Sequence, residues 1–121
     1  MAHILIVEDN PVVRMVAQEH LKSAGYEVTT ASDGQEALGL FDSMIPDLIL
    51  SDIEMPRLDG IGLLTAIRSR LHISDIPIIF LTMHSDMETF RHTAALGADD
   101  YVNKPINRTV LLESINRLLK K

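Results

Sequence analysis

Two kinds of apolar segment alternate along the chain. Short runs rich in Ile, Val and Leu fall at Ile4–Val7, Glu27–Thr30, Leu48–Leu50, Ile78–Leu81 and Tyr101–Val102. The first, third and fourth are nearly continuous, which marks strands covered on both faces of a parallel sheet. The segments between them have helical spacing. Asn10-Pro11 opens the first, with Asn as N-cap and Pro at the first helical position. Val13, Val16, Ala17, His20, Leu21 and Ala24 then form one stripe, and Gly25 supplies the stop. Further helices fit Asp33–Ser43, Ile61–Arg70, Ser85–Leu96 and Asn107–Leu119, with Gly97 closing the fourth. Ile106, Val110, Leu111, Ile115, Leu118 and Leu119 give the last helix an apolar face.

The pattern is βα repeated five times with short connections and no repeat or low-complexity segment. Right-handed crossovers turn such a chain into a three-layer α/β/α sandwich. Five strands favour a parallel sheet in the flavodoxin-like order 2-1-3-4-5, because a barrel needs eight units and roughly 250 residues. The 121 residues are the length of a single domain, expected over 1–121.

Composition narrows the class. A hydrophobic fraction of 46% suffices for a core, and with only two Tyr, three Phe and no Trp that core is largely aliphatic. The absence of cysteine excludes disulfide scaffolds and thiolate metal sites and is compatible with a reducing cytoplasm. No apolar stretch is long enough to span a bilayer, and no secretory leader pattern opens the chain. A net charge of −6 argues against direct nucleic-acid binding by this domain. The expectation is a soluble cytoplasmic domain with neither membrane nor nucleic acid as a direct partner.

Polar residues collect where the strands end. Strand one runs into Glu8-Asp9, strand three into Ser51-Asp52, strand four into Thr82, and strand five into Asn103-Lys104-Pro105. In open α/β sheets ligands bind outside the carboxyl ends of the strands, where the strand order reverses. Here that point lies between strands one and three, so Asp9 and Asp52 should face each other with Glu8 alongside, and Thr82 and Lys104 should close the rim. Two unit charges ~4 Å apart repel by roughly 4 kcal/mol at an effective dielectric of about 20. Lys104 offsets part of this, and a divalent cation offsets more. An all-oxygen set without His or Cys suits Mg²⁺, with Mn²⁺ as an alternative, better than zinc. A carboxylate beside such an ion is a competent nucleophile toward phosphorus.

Glu8-Asp9, the run from Ser51 through Asp52-Ile53-Glu54-Met55-Pro56-Arg57-Leu58-Asp59 to Gly60, Leu81-Thr82, and Tyr101-Val102-Asn103-Lys104-Pro105 together resemble the signature of response-regulator receiver domains (CheY-like) of two-component phosphorelays. The resemblance covers essentially the whole chain. It implies that Asp52 is the phosphoacceptor, taking its phosphoryl group from a phosphohistidine on a sensor histidine kinase or a histidine phosphotransfer protein. It implies Mg²⁺ ligation by Asp9, Asp52 and the Glu54 backbone carbonyl, with Glu8 reaching the ion through water. Thr82 and Lys104 would hold the phosphoryl group. Tyr101 matches the switch aromatic that follows Thr82 inward, relaying the change to the face built from helix four, strand five and helix five. The Lys104-Pro105 bond is expected to be cis. Helix one is the expected donor-docking surface, with exposed Arg14, Met15, Gln18 and Lys22 as candidates. A phosphorylation-dependent dimer is compatible with the family. Glu54 and His84, two residues beyond Asp52 and Thr82, occupy the positions that tune phosphoryl-group lifetime; the competing reading has both simply facing solvent.

Each residue also has an ordinary explanation when taken singly. Glu8-Asp9 could be a solvated helix entry, and Asp59-Gly60 an ordinary tight turn. Their joint placement at the strand ends defeats that reading. The histidines show no metal-ligand spacing: His20 is expected half-buried, and His3, His72 and His92 at the surface. Met15, Met87 and Phe90 read as packing or isolated surface residues. The enzyme rival is an Mg²⁺-dependent phosphohydrolase acting through an aspartyl phosphate, with Glu54 as its second acid; 121 residues leave little room for the cap such enzymes carry. A receiver that binds partners without phosphorylation is the other rival, and the complete acidic set with Lys104 weighs against it. The expectation is therefore a switch that catalyses only its own phosphorylation and dephosphorylation. The cognate kinase, the signal, the output and any flanking domains are not encoded in these residues.

Overall fold

The computed structural model describes residues 2–55, 57–70, 73–83 and 87–119. His72, His84 and the side chains of Met87 and Phe90, singled out above, lie outside the described set. The elements run β1 (His3–Val7), α1 (Pro11–Ser23), β2 (Glu27–Ala31), α2 (Gly34–Leu40), β3 (Leu48–Asp52), α3 (Gly60–Arg68), β4 (Ile78–Thr82), α4 (Met87–Leu96), β5 (Asp100–Asn103) and α5 (Arg108–Leu119). The five strands form one parallel sheet in the order β2-β1-β3-β4-β5, as the sequence pattern predicts.

The continuous apolar runs are buried on both faces. Alternate residues of each strand feed opposite layers, because side chains alternate across a pleated strand. Ile4, Ile6, Leu48, Leu50, Ile79, Leu81 and Val102 pack with Ala17 and Leu21 of α1 and with Leu111 and Ile115 of α5. Leu5, Val7, Ile49, Ile78 and Phe80 pack on the other face with Ala37 of α2 and with Leu63, Leu64 and Ile67 of α3. Leu96 of α4 joins this second layer at its margin. Edge strand β2 is only partly buried, which fits its more polar sequence.

Caps fix where the helices start. The Asn10 side chain accepts from the Val12 and Val13 amides, Asp33 accepts from Glu36, Asp59 accepts from Gly62, and Asn107 accepts from Val110. Gly25 and Gly97, both at positive φ, end α1 and α4. The second helix stops at Leu40, three residues short of the expected Ser43, as the chain tightens into a turn with Phe41 buried beneath it.

Three apolar positions depart from the expected stripes. Val16, Ala24 and Val110 are exposed, not buried. The sheet receives α1 chiefly through Ala17 and Leu21, and Val16 falls to the side of that line. Together with Val12, Val13, Lys104, Pro105 and Ile106 it lines a shallow groove of about 160 Å³. Val110 borders a second surface depression between α5 and β5. His3 is half-buried, not at the surface, and its Nε2 lies 2.6 Å from the Thr29 hydroxyl. His20 is half-buried and His92 exposed, as expected.

Candidate functional site

Strand register brings the polar residues together. Val7 pairs with Ser51, so Glu8 and Asp9 emerge beside Asp52. Asp52 pairs with Leu81, setting Thr82 one step beyond it, and Thr82 pairs with Asn103, setting Lys104 one step beyond that. The Lys104 amide extends the ladder by donating to the Thr82 carbonyl at 2.8 Å. Residues far apart in sequence thus converge at one edge of the sheet.

Glu8, Asp9 and Asp52 each offer a carboxylate oxygen, and these three atoms lie within 4.8 Å of one another. Glu8 is fully buried, Asp52 half-buried and Asp9 exposed, so the cluster opens from the interior toward solvent. The Lys104 ammonium bridges the first two, 3.0 Å from Glu8 Oε1 and 3.3 Å from Asp52 Oδ2. The Lys104-Pro105 peptide is cis, as expected. Asp52 Oδ1 accepts from the Ile53 amide at 2.8 Å, leaving its other oxygen to the ammonium.

Burial pushes the Glu8 carboxyl above its ordinary range, against the pull of the Lys104 ammonium beside it, and the Asp52 charge raises it further. Burial alone would lower the Lys104 ammonium, yet its bond to Glu8 and the charges of Asp52 and Glu8 hold it above 10.5. One ammonium therefore contacts two of the three clustered carboxylates. Glu8 Oε1 is buried and has no well-directed hydrogen bond, although Lys104 stands close enough for an ion pair. A crowded all-oxygen set with an under-satisfied buried oxygen and an open rim fits a hard divalent cation.

Thr82 is buried at the end of β4, and Glu54 is exposed in the loop after β3. Tyr101 is half-buried: its ring centroid lies 6.4 Å from that of Phe80, and its hydroxyl is 2.5 Å from the Thr93 Oγ1 of α4. Of the docking candidates on α1, Met15 and Lys22 are exposed, whereas Arg14 and Gln18 are half-buried. Arg14 turns inward because its Nη1 donates to the Glu8 carbonyl at 2.8 Å.

Several supporting residues escape a reading of the sequence alone. Asp59-Gly60 is not a simple tight turn: Asp59 caps α3, and Gly60 lets that helix approach the end of β3 closely. A Cβ at Gly60 would stand 2.3 Å from the Asp52 carbonyl oxygen, and the Gly60 amide donates to Ile53 at 2.7 Å. Arg57, in left-handed backbone at φ 64°, pairs with buried Asp33 across the gap between two loops. Thr93, fully buried, carries no sequence signal beyond its helical position.

The sequence profile of the response regulator receiver domain matches residues 4–116. The probable transcriptional regulator ycf27 of Guillardia theta is 43% identical over 118 residues, covering 98% of this chain and 45% of the relative. Its Cyanophora paradoxa counterpart is 42% identical, covering 98% and 48%, so the chain spans about half the length of these curated relatives. Among solved structures, the chemotaxis protein CheY4 of Vibrio cholerae superposes with a TM-score of 0.93 at 36% identity, covering 98% of this chain and 99% of that one. The receiver domain of the sensor histidine kinase PA1611 of Pseudomonas aeruginosa, solved with a magnesium ion in its active-site cleft, gives a TM-score of 0.91 at 34% identity, covering 99% and 98%. The fold, the strand-end cluster and these likenesses converge: this chain belongs to the response regulator receiver domain family of two-component signalling.

Proposed function

We propose that residues 1–121 act as one receiver unit that accepts a phosphoryl group on Asp52 from a phosphohistidine of a sensor histidine kinase or phosphotransfer protein. The observation that carries this reading is the cluster of Glu8, Asp9 and Asp52 with Lys104 bridging two of them. An Asp52 carboxylate oxygen attacks phosphorus; the new P–O bond forms as the P–N bond breaks, and the imidazole leaves. Lys104 and Thr82 hold the phosphoryl oxygens, and Lys104 orients the attacking carboxylate by binding its second oxygen. Mg²⁺, with Mn²⁺ as the alternative, would supply charge neutralisation on the transferring group. Asp9, Asp52 and the Glu54 backbone carbonyl would hold it, with Glu8 reaching it through water. Glu54 and His84 would set how long the phosphoryl group survives.

The groove between α1 and Lys104-Pro105-Ile106 suits the donor's docking, because it is apolar and adjoins Asp52 through Lys104. Phosphorylation would draw Thr82 toward the phosphate and release a relay through Tyr101 to the α4-β5-α5 face. The Thr93–Tyr101 hydrogen bond supports that route, since it ties the aromatic directly to α4. The domain would act in the cytoplasm as a switch, not a multiple-turnover enzyme, and drive an effector, for which the ycf27 regulators offer a transcriptional precedent. A phosphorylation-dependent dimer is compatible with the exposed Val110 surface, and DNA contact by this domain itself is not part of the reading.

The test is incubation with a small acyl-phosphate donor and Mg²⁺, followed by intact-mass measurement. A single phosphoryl adduct that requires the divalent ion supports the proposal. Steady release of inorganic phosphate over many turnovers from unrelated phosphomonoesters would replace it with the phosphohydrolase reading.

A further inference from the structure

The loop between β3 and α3 carries Glu54, and three features tie it to the loop between β2 and α2. The Arg57 guanidinium donates through Nε at 2.9 Å, and also through Nη2, to Asp33 Oδ2. The Gly34 amide donates to the Leu58 carbonyl at 3.0 Å. Gly34 also admits that approach by lacking a side chain, since a Cβ there would lie 2.5 Å from the same carbonyl oxygen.

The pair is unlike an ordinary surface bridge, which contributes little. The Asp33 side chain is 2% exposed, against 67% for Arg57. Asp33 is also spoken for on its other oxygen, where the Glu36 amide donates at 2.9 Å and anchors the start of α2. Those hydrogen bonds, first from Glu36 and then from Arg57, hold its carboxyl below the ordinary 3.8. Arg57 itself sits at φ 64°, a left-handed conformation that a long side chain adopts only where its surroundings impose it. Buried anchor, unfavourable backbone and matched amide contact all act on one short stretch, three residues beyond Glu54.

We propose that Arg57 and Asp33 form a clasp that positions the Glu54 carbonyl, so that divalent-cation affinity depends on two side chains that do not touch the ion. Arg57 is thus a positioning residue, and α2 serves as the fixed post to which the metal-side loop is fastened. The inference rests on the metal reading given under the proposed function. It adds that the loop carrying Glu54 is preorganised from outside the acidic cluster, in the way partners behind metal ligands orient those ligands.

Two variants separate the clasp from general structure. Arg57→Gly removes the guanidinium while permitting the left-handed backbone. Asp33→Asn keeps an oxygen for the Glu36 amide but turns an amide group toward Arg57, removing the ion pair. Binding is read directly, by Mn²⁺ paramagnetic resonance and Mg²⁺ calorimetry, with metal-free thermal melts on the same samples. The clasp predicts that each variant loses about tenfold or more in affinity at a temperature where its melt shows the metal-free protein fully folded, and that the double variant loses no more than either. Wild-type affinity in either variant, or losses that add in the double, overturns the clasp. A wild-type protein that binds neither ion overturns the metal reading itself, a result distinguishable from the first because it precedes any substitution.

Discussion

Replacing Gly60 by alanine would place a methyl carbon 2.3 Å from the Asp52 carbonyl oxygen, with Ile53 Cα and Phe80 Cε1 each 2.9 Å away. Carbon and carbonyl oxygen ordinarily keep about 3.3 Å or more, so one side must yield by about 1 Å. Two of the three obstructing atoms are backbone, and the third belongs to a fully buried ring, so no flexible tip can swing aside. Overpacking of this kind costs about 1–3 kcal/mol. Alanine recovers up to about 1 kcal/mol through better helix propensity at the start of α3. The net expectation is a loss of about 1–2 kcal/mol, or about 4–8 °C in Tm for a domain of this size. Gly39 is the matched control: it lies in α2 with nothing within 4 Å of its notional Cβ, so Gly39→Ala should gain about 0.5–1 kcal/mol. Urea and thermal unfolding of both variants beside wild type provide the assay. A Gly60→Ala protein as stable as wild type would refute the idea that α3 needs a bare backbone against the end of β3.

Three further outcomes follow from the site. Tyr101→Phe removes the hydroxyl that meets Thr93 and should cost about 0.5–1.5 kcal/mol in stability while Asp52 still accepts phosphate; loss of phosphorylation in that variant would place Tyr101 in the chemistry and not in the relay. Asp33 has a folded-state pKa depressed below 3.8, so its contribution is full above that value and fades as pH falls through the folded one. Asp33→Ala should therefore be about 1–2 kcal/mol less stable than wild type at pH 7, with the gap narrowing on acidification; a gap independent of pH in paired urea melts would contradict this. Lys104→Met strips the ammonium from a fully buried Glu8, at a cost of about 1–3 kcal/mol that protonation of Glu8 relieves. The deficit should shrink from pH 8 to pH 5, because the Glu8 carboxyl is already raised and rises further without its partner. A larger deficit at pH 5 would count against the pairing.

The sheet order and the convergence of Glu8, Asp9, Asp52, Thr82 and Lys104 were legible because both follow from periodicity and topology. Short continuous apolar runs alternating with helical segments fit a parallel sheet covered on both faces, and the residues after them then meet at its rim. Val16 and Val110 misled because an apolar residue one step off the packing line keeps the helical period without being buried. The Arg57–Asp33 pair was invisible for a different reason. It joins two loops through a left-handed backbone at a long, charged residue, which no propensity favours. Arg14 looked like a docking residue, and only the position of the Glu8 carbonyl shows that it turns inward. Gly60 was noticed, but as a turn former; that its missing Cβ accommodates the Asp52 carbonyl depends on three-dimensional proximity alone.

The central claim is that Asp52 carries the phosphoryl group. Reductive trapping tests it most directly: the protein is exposed to a small acyl phosphate with Mg²⁺, the acyl phosphate is reduced with borohydride, and the peptides are mapped by mass spectrometry. The account predicts that the aspartate at position 52 is converted to homoserine, only when the divalent ion is present. Reduction at Asp9 or another carboxylate instead, or trapping that persists in Asp52→Asn, would contradict it.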